Sequence, residues 1–163
     1  MNIKLVDEKF SDDFVLIHHG SRNYLPEKVG KIRNDWKKPS GGLWTSPIKS
    51  NYGWKEAATD MCIFHNIHRS FTLKMKMDSK LLIIDSFTDF RNAMLIYKAE
   101  SQYPLNRVDN FASLDFERIA RVFSAIWLTE KGQVQTRFSR PSLYTWDCES
   151  VVILDKDSVY QIS

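Results

Sequence analysis

A chain of 163 residues, with 43% hydrophobic and 26% charged residues, is long enough for one domain with its own core, and its composition argues against intrinsic disorder. The net charge of +3 permits an anionic partner without requiring one, and the two cysteines exclude a disulfide framework. We therefore expect a single cytoplasmic domain over residues 1–163. The first residues contain no long apolar run, which predicts neither a signal peptide nor a membrane span.

The pattern of apolar residues predicts strands and helices in a mixed order. Alternation over 70–77 is typical of a half-buried strand, and the apolar residues spaced through 54–68 favour a helix. A second helix over 85–100 begins at Ser86 or Thr88 as its cap, and a third covers 114–122. The remaining strands are predicted at 13–17, 42–46, 80–85, 125–129, 134–138 and 150–155. With strands gathered late in the chain, this order favours an α+β fold.

The stretch "LIHHGSRNY", residues 16–24, places polar groups directly behind an apolar strand. A histidine at a strand end can bond a ligand hydroxyl, and the following glycine lets a ligand approach the backbone. The serine adds a small hydrogen-bonding group, and the arginine could meet a phosphate. By itself this segment is more typical of an exposed strand end than of a ligand site.

Two later segments offer complementary groups. In "KKPSGGLWTSP", residues 37–47, a bend at paired glycines presents Trp44 for stacking, with the hydroxyls of Thr45 and Ser46 beside it. In "LYTWDCESVVILD", residues 143–155, the Glu149 carboxylate opens an apolar strand and shares a face with Asp147 if the extended chain reaches back that far. Each segment alone also fits a core tryptophan or a solvated acidic turn.

Taken in this order, the three segments resemble motifs of the ADP-ribosyltransferase superfamily, on the side of the poly-ADP-ribose polymerases and diphtheria-type toxins. "HHGSR" is similar to the His-Gly-Ser-Arg that ends the family's first core strand, and "GGLWTSP" to its Gly-x-Tyr-Phe-Ala segment. "CESVVILDKDSV" is similar to the catalytic-glutamate strand near the end of the family's domain. The resemblance is limited to these motifs and has tryptophan where the family stacks a tyrosine.

The resemblance implies a split, mostly antiparallel β core flanked by helices, with NAD as cosubstrate. It implies that His19 contacts a ribose hydroxyl, that Gly20 offers backbone groups to the nicotinamide amide, and that Glu149 is catalytic. Glu149 would bond the ribose and stabilise its developing positive charge as the glycosidic bond breaks. The implied cofactor-binding residues are His19, Gly20, Ser21, Arg22, Trp44, Ser46 and Tyr52.

Several functions stay open at the level of sequence. The expected activity is transfer of ADP-ribose to an unidentified acceptor, which could be a protein, a nucleic acid or a small molecule. The alternatives are an NAD glycohydrolase, an inactive NAD- or ADP-ribose-binding relative, removal of a 2′-phosphate from RNA, and a nucleic-acid or protein interaction module. Segment 130–141 lies where relatives place an acceptor loop, and its Lys131, Arg137 and Arg140 suit an anionic target or simply a solvated surface.

Two further features predict no chemistry. His65 and His68 have helical spacing, but no third ligand lies at a familiar distance along the chain, so no metal site is predicted. Cys148 next to Glu149 invites a thiol nucleophile with His19 as base, yet buried cysteines are common and nothing in the sequence fixes that geometry.

Overall fold

The computed structural model describes residues 1–35, 38–99 and 114–163. Within these residues the chain forms nine strands: β1 Asn2–Leu5, β2 Leu16–His19, β3 Gly30–Arg33, β4 Ser40–Pro47, β5 Ser70–Met75, β6 Lys80–Ile84, β7 Ala125–Leu128, β8 Ser150–Ile153 and β9 Val159–Gln161. The described helices are α1 Glu8–Asp13, α2 Trp54–Asp60, α3 Phe87–Tyr97, α4 Phe116–Ile119 and α5 Glu130–Arg137. Short 3₁₀ turns occur at Pro26–Lys28 and Lys156–Ser158.

The strands form one mostly antiparallel sheet in the order β1-β6-β7-β8-β4-β2-β5-β9, with β3 paired to β4 beside this path. Among the described strand pairs, β6 and β7 run parallel and the others run antiparallel. The mixed element order and antiparallel pairing agree with the expected α+β class. No helix in the described ranges is long and apolar enough to cross a membrane.

The sheet opens between β2 and β4. Strand β4 pairs with β8 over Leu43 to Thr45, but with β2 only through Ser46 and Pro47. The last two residues of β2, His18 and His19, pair with β5 instead. Because β2 turns away from β4 after two pairs, the backbone leaves a gap there that side chains must fill.

Each face of the sheet carries its own core. On one face, α3, α4 and the segment around Trp146 pack against β6, β7 and β8, with Phe90, Phe116 and Ile126 fully buried. On the other face, Phe14 and neighbouring side chains cover Leu16, Leu73 and Val151. The alternation of "SFTLKM" produces this arrangement directly, because every second side chain of β5 is buried.

Several predicted elements are confirmed with shorter bounds. Strands β5, β6, β7 and β8 lie within the ranges expected from the sequence, and Ser86 caps α3 by accepting a hydrogen bond from the Asp89 amide. The helix expected over 114–122 is reduced to α4, and the strand expected over 13–17 begins later because Asp13 ends α1. The sequence patterns did not predict β1, α1, β3 or β9.

Two predictions are wrong. The strand expected over 134–138 is part of α5, where Val134 and Phe138 point outwards one helical turn apart. The helix expected over 54–68 ends at Asp60, since Cys62 and Asn66 adopt left-handed backbone conformations that a helix cannot contain. The helix expected over 85–100 ends at Tyr97, because Lys98 is extended and bridges to Leu114. Residues 36–37 and 100–113 lie outside the described part of the chain.

Candidate functional site

Two adjoining cavities open at the gap between β2 and β4. The aromatic cavity, of about 290 Å³, is walled mainly by Trp44, Trp54 and Trp146. The polar cavity, of about 430 Å³, lies beside it. Both cavities share the side chains of Ile17, His19, Ser46 and Trp54, and the polar one adds Ser50, Lys55, Glu56, His68 and Ser70.

The strand register explains why these residues meet. Ile17 is paired with Ser46, so both project from one face of the sheet, and His19 follows two residues later on that face. Thr45 is paired with Val151, which places Ser46 opposite Ser150 on the same face. The end of β2, the end of β4 and the start of β8 therefore contribute to one wall.

Both histidines are oriented by backbone carbonyls. His18 Nδ1 lies 2.8 Å from the Trp44 carbonyl oxygen, and His19 Nδ1 lies 2.9 Å from that of Ile67. A carbonyl only accepts hydrogen bonds, so each Nδ1 carries the proton. His19 Nε2 bonds no described residue, while the side chain lines both cavities. His19 is thus fixed in orientation with one ring nitrogen left for a ligand.

The His18 ring fills the gap where β2 and β4 no longer pair. Burial lowers the pKa of His18, and its hydrogen bond to Trp44 only partly opposes this effect. The imidazole is therefore neutral at neutral pH. It also stacks near Phe71, with ring centroids 5.0 Å apart.

Because the pKa of His18 is lower in the folded than in the unfolded chain, the unfolded chain binds more protons below the unfolded pKa of about 6.5. The stability that a neutral His18 contributes is present above that pKa and is lost as the pH falls. We expect urea unfolding midpoints to drop more between pH 7.5 and pH 5 in the wild type than in His18→Asn, which keeps a donor for the Trp44 carbonyl but does not titrate. Equal drops in the two proteins would contradict this assignment.

The tryptophans form a rigid aromatic wall. Trp44 meets Trp146 edge to face, with ring centroids 4.9 Å apart and planes at 62°. Trp146 is fully buried and also packs near Phe116, so it supports Trp44 from the core side. Lys38 Nζ lies 5.7 Å from the Trp44 ring, a cation–π distance at the cavity edge. A planar ligand ring would find flat, preformed surfaces here.

The Ser46 hydroxyl connects three segments of the chain around the cleft. Its Oγ donates to the Glu149 carbonyl at 2.9 Å and accepts from the Trp54 amide at 3.0 Å. The side chain is buried, and a Cβ added to Gly53 would lie 3.0 Å from that of Ser46. Since its hydroxyl is already occupied, Ser46 acts here as a structural link between β4, α2 and the residue before β8.

Thr145 contributes a polar atom without a partner. Its Oγ1 is buried in the wall of the aromatic cavity and has no hydrogen-bond partner among the described residues. Buried hydroxyls in native proteins are nearly always bonded to protein or water. The Thr145 hydroxyl is therefore an unsatisfied buried group close to the aromatic cavity.

The Glu149 carboxylate points away from the cavities. Its Oε1 accepts from Trp127 Nε1 at 2.9 Å, and the residue is only 7% exposed. Trp127 is paired with Val151, so this hydrogen bond places the Glu149 carboxylate on the Val151 face of the sheet, opposite to Ser46 and Ser150. Its backbone, however, is bonded to the cleft wall, because its carbonyl accepts from Ser46 Oγ at 2.9 Å.

Asp147 is the acidic residue that lines the aromatic cavity. The expectation that Asp147 and Glu149 share a strand face is wrong, because β8 begins only at Ser150 and the chain bends just before it. The alternation of an extended strand therefore does not reach Asp147. The Cys148 thiol also lines this cavity, but burial raises its pKa, which keeps it protonated and unsuited to nucleophilic attack.

Four of the expected cofactor-binding residues line neither cavity: Gly20, Ser21, Arg22 and Tyr52. The Gly20 amide donates to the Arg69 carbonyl at 2.7 Å, and its φ of +124° is one that only glycine adopts easily. The Ser21 hydroxyl donates to the Asn23 carbonyl, and the Arg22 side chain is exposed. The Tyr52 hydroxyl donates to Asp60 at 2.8 Å, and this bond raises the pKa of Tyr52.

The structure therefore brings His19, Trp44 and Ser46 into one cleft and leaves the other expected residues outside its walls. Sequence reasoning missed Thr145 and Trp54 as wall residues, although "YGW" and "LYTWD" each place an aromatic group near a predicted strand or helix end. His65 and His68 are exposed. Within the described ranges, no three His, Cys, Asp or Glu side chains are grouped to hold a metal ion.

Comparison with known proteins adds no relative: no family model, no curated protein and no solved structure matches the chain. The cleft itself is therefore the feature of the molecule that bears on function. The cleft consists of an aromatic cavity and a polar cavity, and the oriented His19 side chain lies between them. The unpartnered hydroxyl of Thr145 is buried beside the aromatic cavity. Such a site suits an elongated ligand with a heteroaromatic ring at one end and polar groups at the other.

Proposed function

We propose that the protein is an NAD-dependent ADP-ribosyltransferase, which cleaves the bond between nicotinamide and ribose and transfers ADP-ribose to an acceptor. The observation that carries this proposal is the cleft at the split between β2 and β4, where His19, Trp44 and Ser46 lie together. The sequence motifs that resemble the superfamily contribute these three residues, and the ADP-ribosyltransferase-like fold is part of the same proposal.

In this proposal the nicotinamide ring lies in the aromatic cavity against Trp44. His19, shared by both cavities, contacts a hydroxyl of the adjoining ribose through Nε2. The rest of the dinucleotide extends into the polar cavity, where Lys55 offers a positive charge to the diphosphate. The Gly20 amide has no part in this arrangement because Arg69 already occupies it.

The reaction needs a fixed negative charge near the ribose. When the glycosidic bond breaks, its electron pair leaves with the nicotinamide nitrogen, which becomes neutral, and positive charge develops on the sugar. A lone pair of the acceptor then forms the new bond to the ribose carbon, and the acceptor loses a proton. We assign the stabilising carboxylate to Glu149, whose side chain would have to leave the Trp127 indole and turn from the opposite face of the sheet to the cleft when NAD binds.

Purified protein with NAD tests this function. We expect nicotinamide release, and we expect His19→Ala to raise the dissociation constant for NAD about tenfold, as the loss of a buried hydrogen bond does. His65→Ala is the matched control, since that histidine is exposed and lines neither cavity. Release that requires cell lysate indicates transfer to an acceptor, whereas release without lysate indicates an NAD glycohydrolase.

A second candidate function is binding of NAD or ADP-ribose without chemistry. The observation that favours it is the Glu149 carboxylate, which bonds Trp127 and lies outside the walls of both cavities. A binding protein would take up NAD or ADP-ribose in a His19-dependent manner and release no nicotinamide with any acceptor. Indifference to both ligands would contradict both candidates.

A further inference from the structure

We infer that an aromatic and basic surface beside the aromatic cavity binds single-stranded nucleic acid and presents it to the cleft as the ADP-ribose acceptor. This surface, the arginine–aromatic patch, consists of Arg137, Phe138, Arg140 and Tyr144. The binding follows from the patch itself, whereas the acceptor role rests on the proposed function.

The two rings of the patch are unusually exposed. Phe138 is 79% and Tyr144 46% exposed, and their centroids lie 5.9 Å apart with planes at 50°. Val134, one helical turn before Phe138, is also exposed and extends the apolar area. A phenylalanine this exposed gains little from the fold, since its hydrophobic surface remains in water. Flat exposed rings are instead suited to stacking with the bases of a partner.

Positive charge surrounds these rings. The guanidinium carbon of Arg137 lies 5.7 Å from the Phe138 ring and 5.3 Å from the Tyr144 ring. Segment 131–144 contains three basic residues and no acidic one. Of the three, Lys131 pairs with Asp85, while Arg137 and Arg140 form no ion pair within the described residues. Arg137 against two exposed rings, with the exposed Arg140 three residues further along the chain, matches a phosphate backbone with accessible bases.

The patch is joined to the cleft. Arg137 Nη1 donates to the Asp147 carbonyl at 3.4 Å, and Asp147 lines the aromatic cavity. Tyr144 directly precedes Thr145 and Trp146, which are both wall residues of that cavity. A strand whose base stacks on the patch therefore lies close to the segment that walls the aromatic cavity.

Duplex nucleic acid and an apolar protein partner fit the patch less well. A duplex keeps its base faces stacked inside, so it would use the arginines and leave the exposed rings without a role. The apolar side chain of Leu95 on α3 is equally exposed, at 80%, but it has no flat ring on which a base could stack. The combination of exposed rings with unpaired guanidinium groups is what selects single strands.

Fluorescence anisotropy with labelled oligonucleotides of mixed sequence tests the inference on the full chain. We expect single-stranded DNA or RNA to bind with a steep salt dependence and more tightly than the matching duplex. Phe138→Ala and Tyr144→Ala should each weaken binding about tenfold, while the matched control Leu95→Ala should bind as the wild type does. Unchanged thermal unfolding of the variants would show that they fold.

Each outcome decides the inference. Preference for DNA over RNA, or the reverse, identifies the natural strand and supports it. Absence of binding, preference for duplex, or binding that Phe138→Ala and Tyr144→Ala leave unchanged would overturn it. Nicotinamide release measured in parallel separates the two proposals. If nucleic acid binds to the patch but no nicotinamide is released, the proposed function and the acceptor role are overturned and the binding assignment stands. If nicotinamide is released but binding does not depend on the patch, the nucleic-acid assignment is overturned and the proposed function stands.

Discussion

Glu149→Gln is expected to lower nicotinamide release at least about a hundredfold while leaving NAD binding nearly unchanged. The substitution keeps the size of the side chain and an oxygen that can accept the Trp127 hydrogen bond, so the fold should tolerate it. It removes the negative charge, however, and a fixed charge of this kind contributes about 10²–10³ in rate when it faces charge developing in the transition state. The measurement is single-turnover nicotinamide release at saturating NAD.

Asp147→Asn is the matched control, because Asp147 is the neighbouring carboxylate and lines the aromatic cavity. If Glu149 supplies the charge, the Asp147 variant retains most of the rate. The opposite result, normal release in Glu149→Gln and loss in Asp147→Asn, would transfer the catalytic role to Asp147. Trp127→Phe adds a further measurement: without the indole donor, the Glu149 carboxylate loses its partner outside the cleft, and we expect faster nicotinamide release at saturating NAD.

The parts of the fold that could be predicted from the sequence are those decided by local pattern. "SFTLKM" alternates, and the structure buries every second side chain of β5. The region of α5 was mispredicted because Val134 and Phe138 read as buried strand residues, whereas both are exposed on the helix. No local pattern shows that an apolar side chain lies outside the core, so this error was not avoidable from one sequence.

In the candidate site, too, some placements could be expected from the sequence and others depend on contacts between distant residues. His19, Trp44 and Ser46 lie close together because the ends of β2 and β4 pair with each other, and the sequence motifs place these residues near those ends. The position of Glu149 depends on where β8 begins, and the occupied Gly20 amide depends on Arg69, which is distant in sequence. Tertiary contacts of this kind decide which side of a strand end a polar group faces, and one sequence does not reveal them.

A substitution in α5, the helix that supports both the cleft and the arginine–aromatic patch, is expected to have the second large effect. Gly132 lies in the first turn of α5, directly against the end of β6. A Cβ at this position would lie 2.0 Å from the Ile84 carbonyl oxygen and 2.8 Å from its carbon, and both are backbone atoms that cannot rotate away. Only glycine allows the helix to approach the sheet this closely.

The consequences would extend to the aromatic cavity. Gln133 Nε2 donates to the Trp146 carbonyl at 3.2 Å, and the Leu143 amide donates to the Thr136 carbonyl at 3.0 Å. Through these bonds α5 holds the segment that carries Thr145 and Trp146. A displaced helix would therefore loosen one wall of the cleft as well as the packing against β6.

We expect Gly132→Ala to lower the free energy of unfolding by about 3 kcal/mol, the upper part of the usual range for overpacking, because neither backbone can yield independently. Urea denaturation monitored by tryptophan fluorescence measures this loss. Gly30→Ala is the matched control, since a Cβ there makes an ordinary 3.4 Å contact with the Gly41 Cα, and we expect a change within about 0.5 kcal/mol. A Gly132→Ala protein as stable as the wild type would mean that α5 does not lie this close to β6, and the placement of Thr145, Trp146 and the arginine–aromatic patch would lose its structural basis.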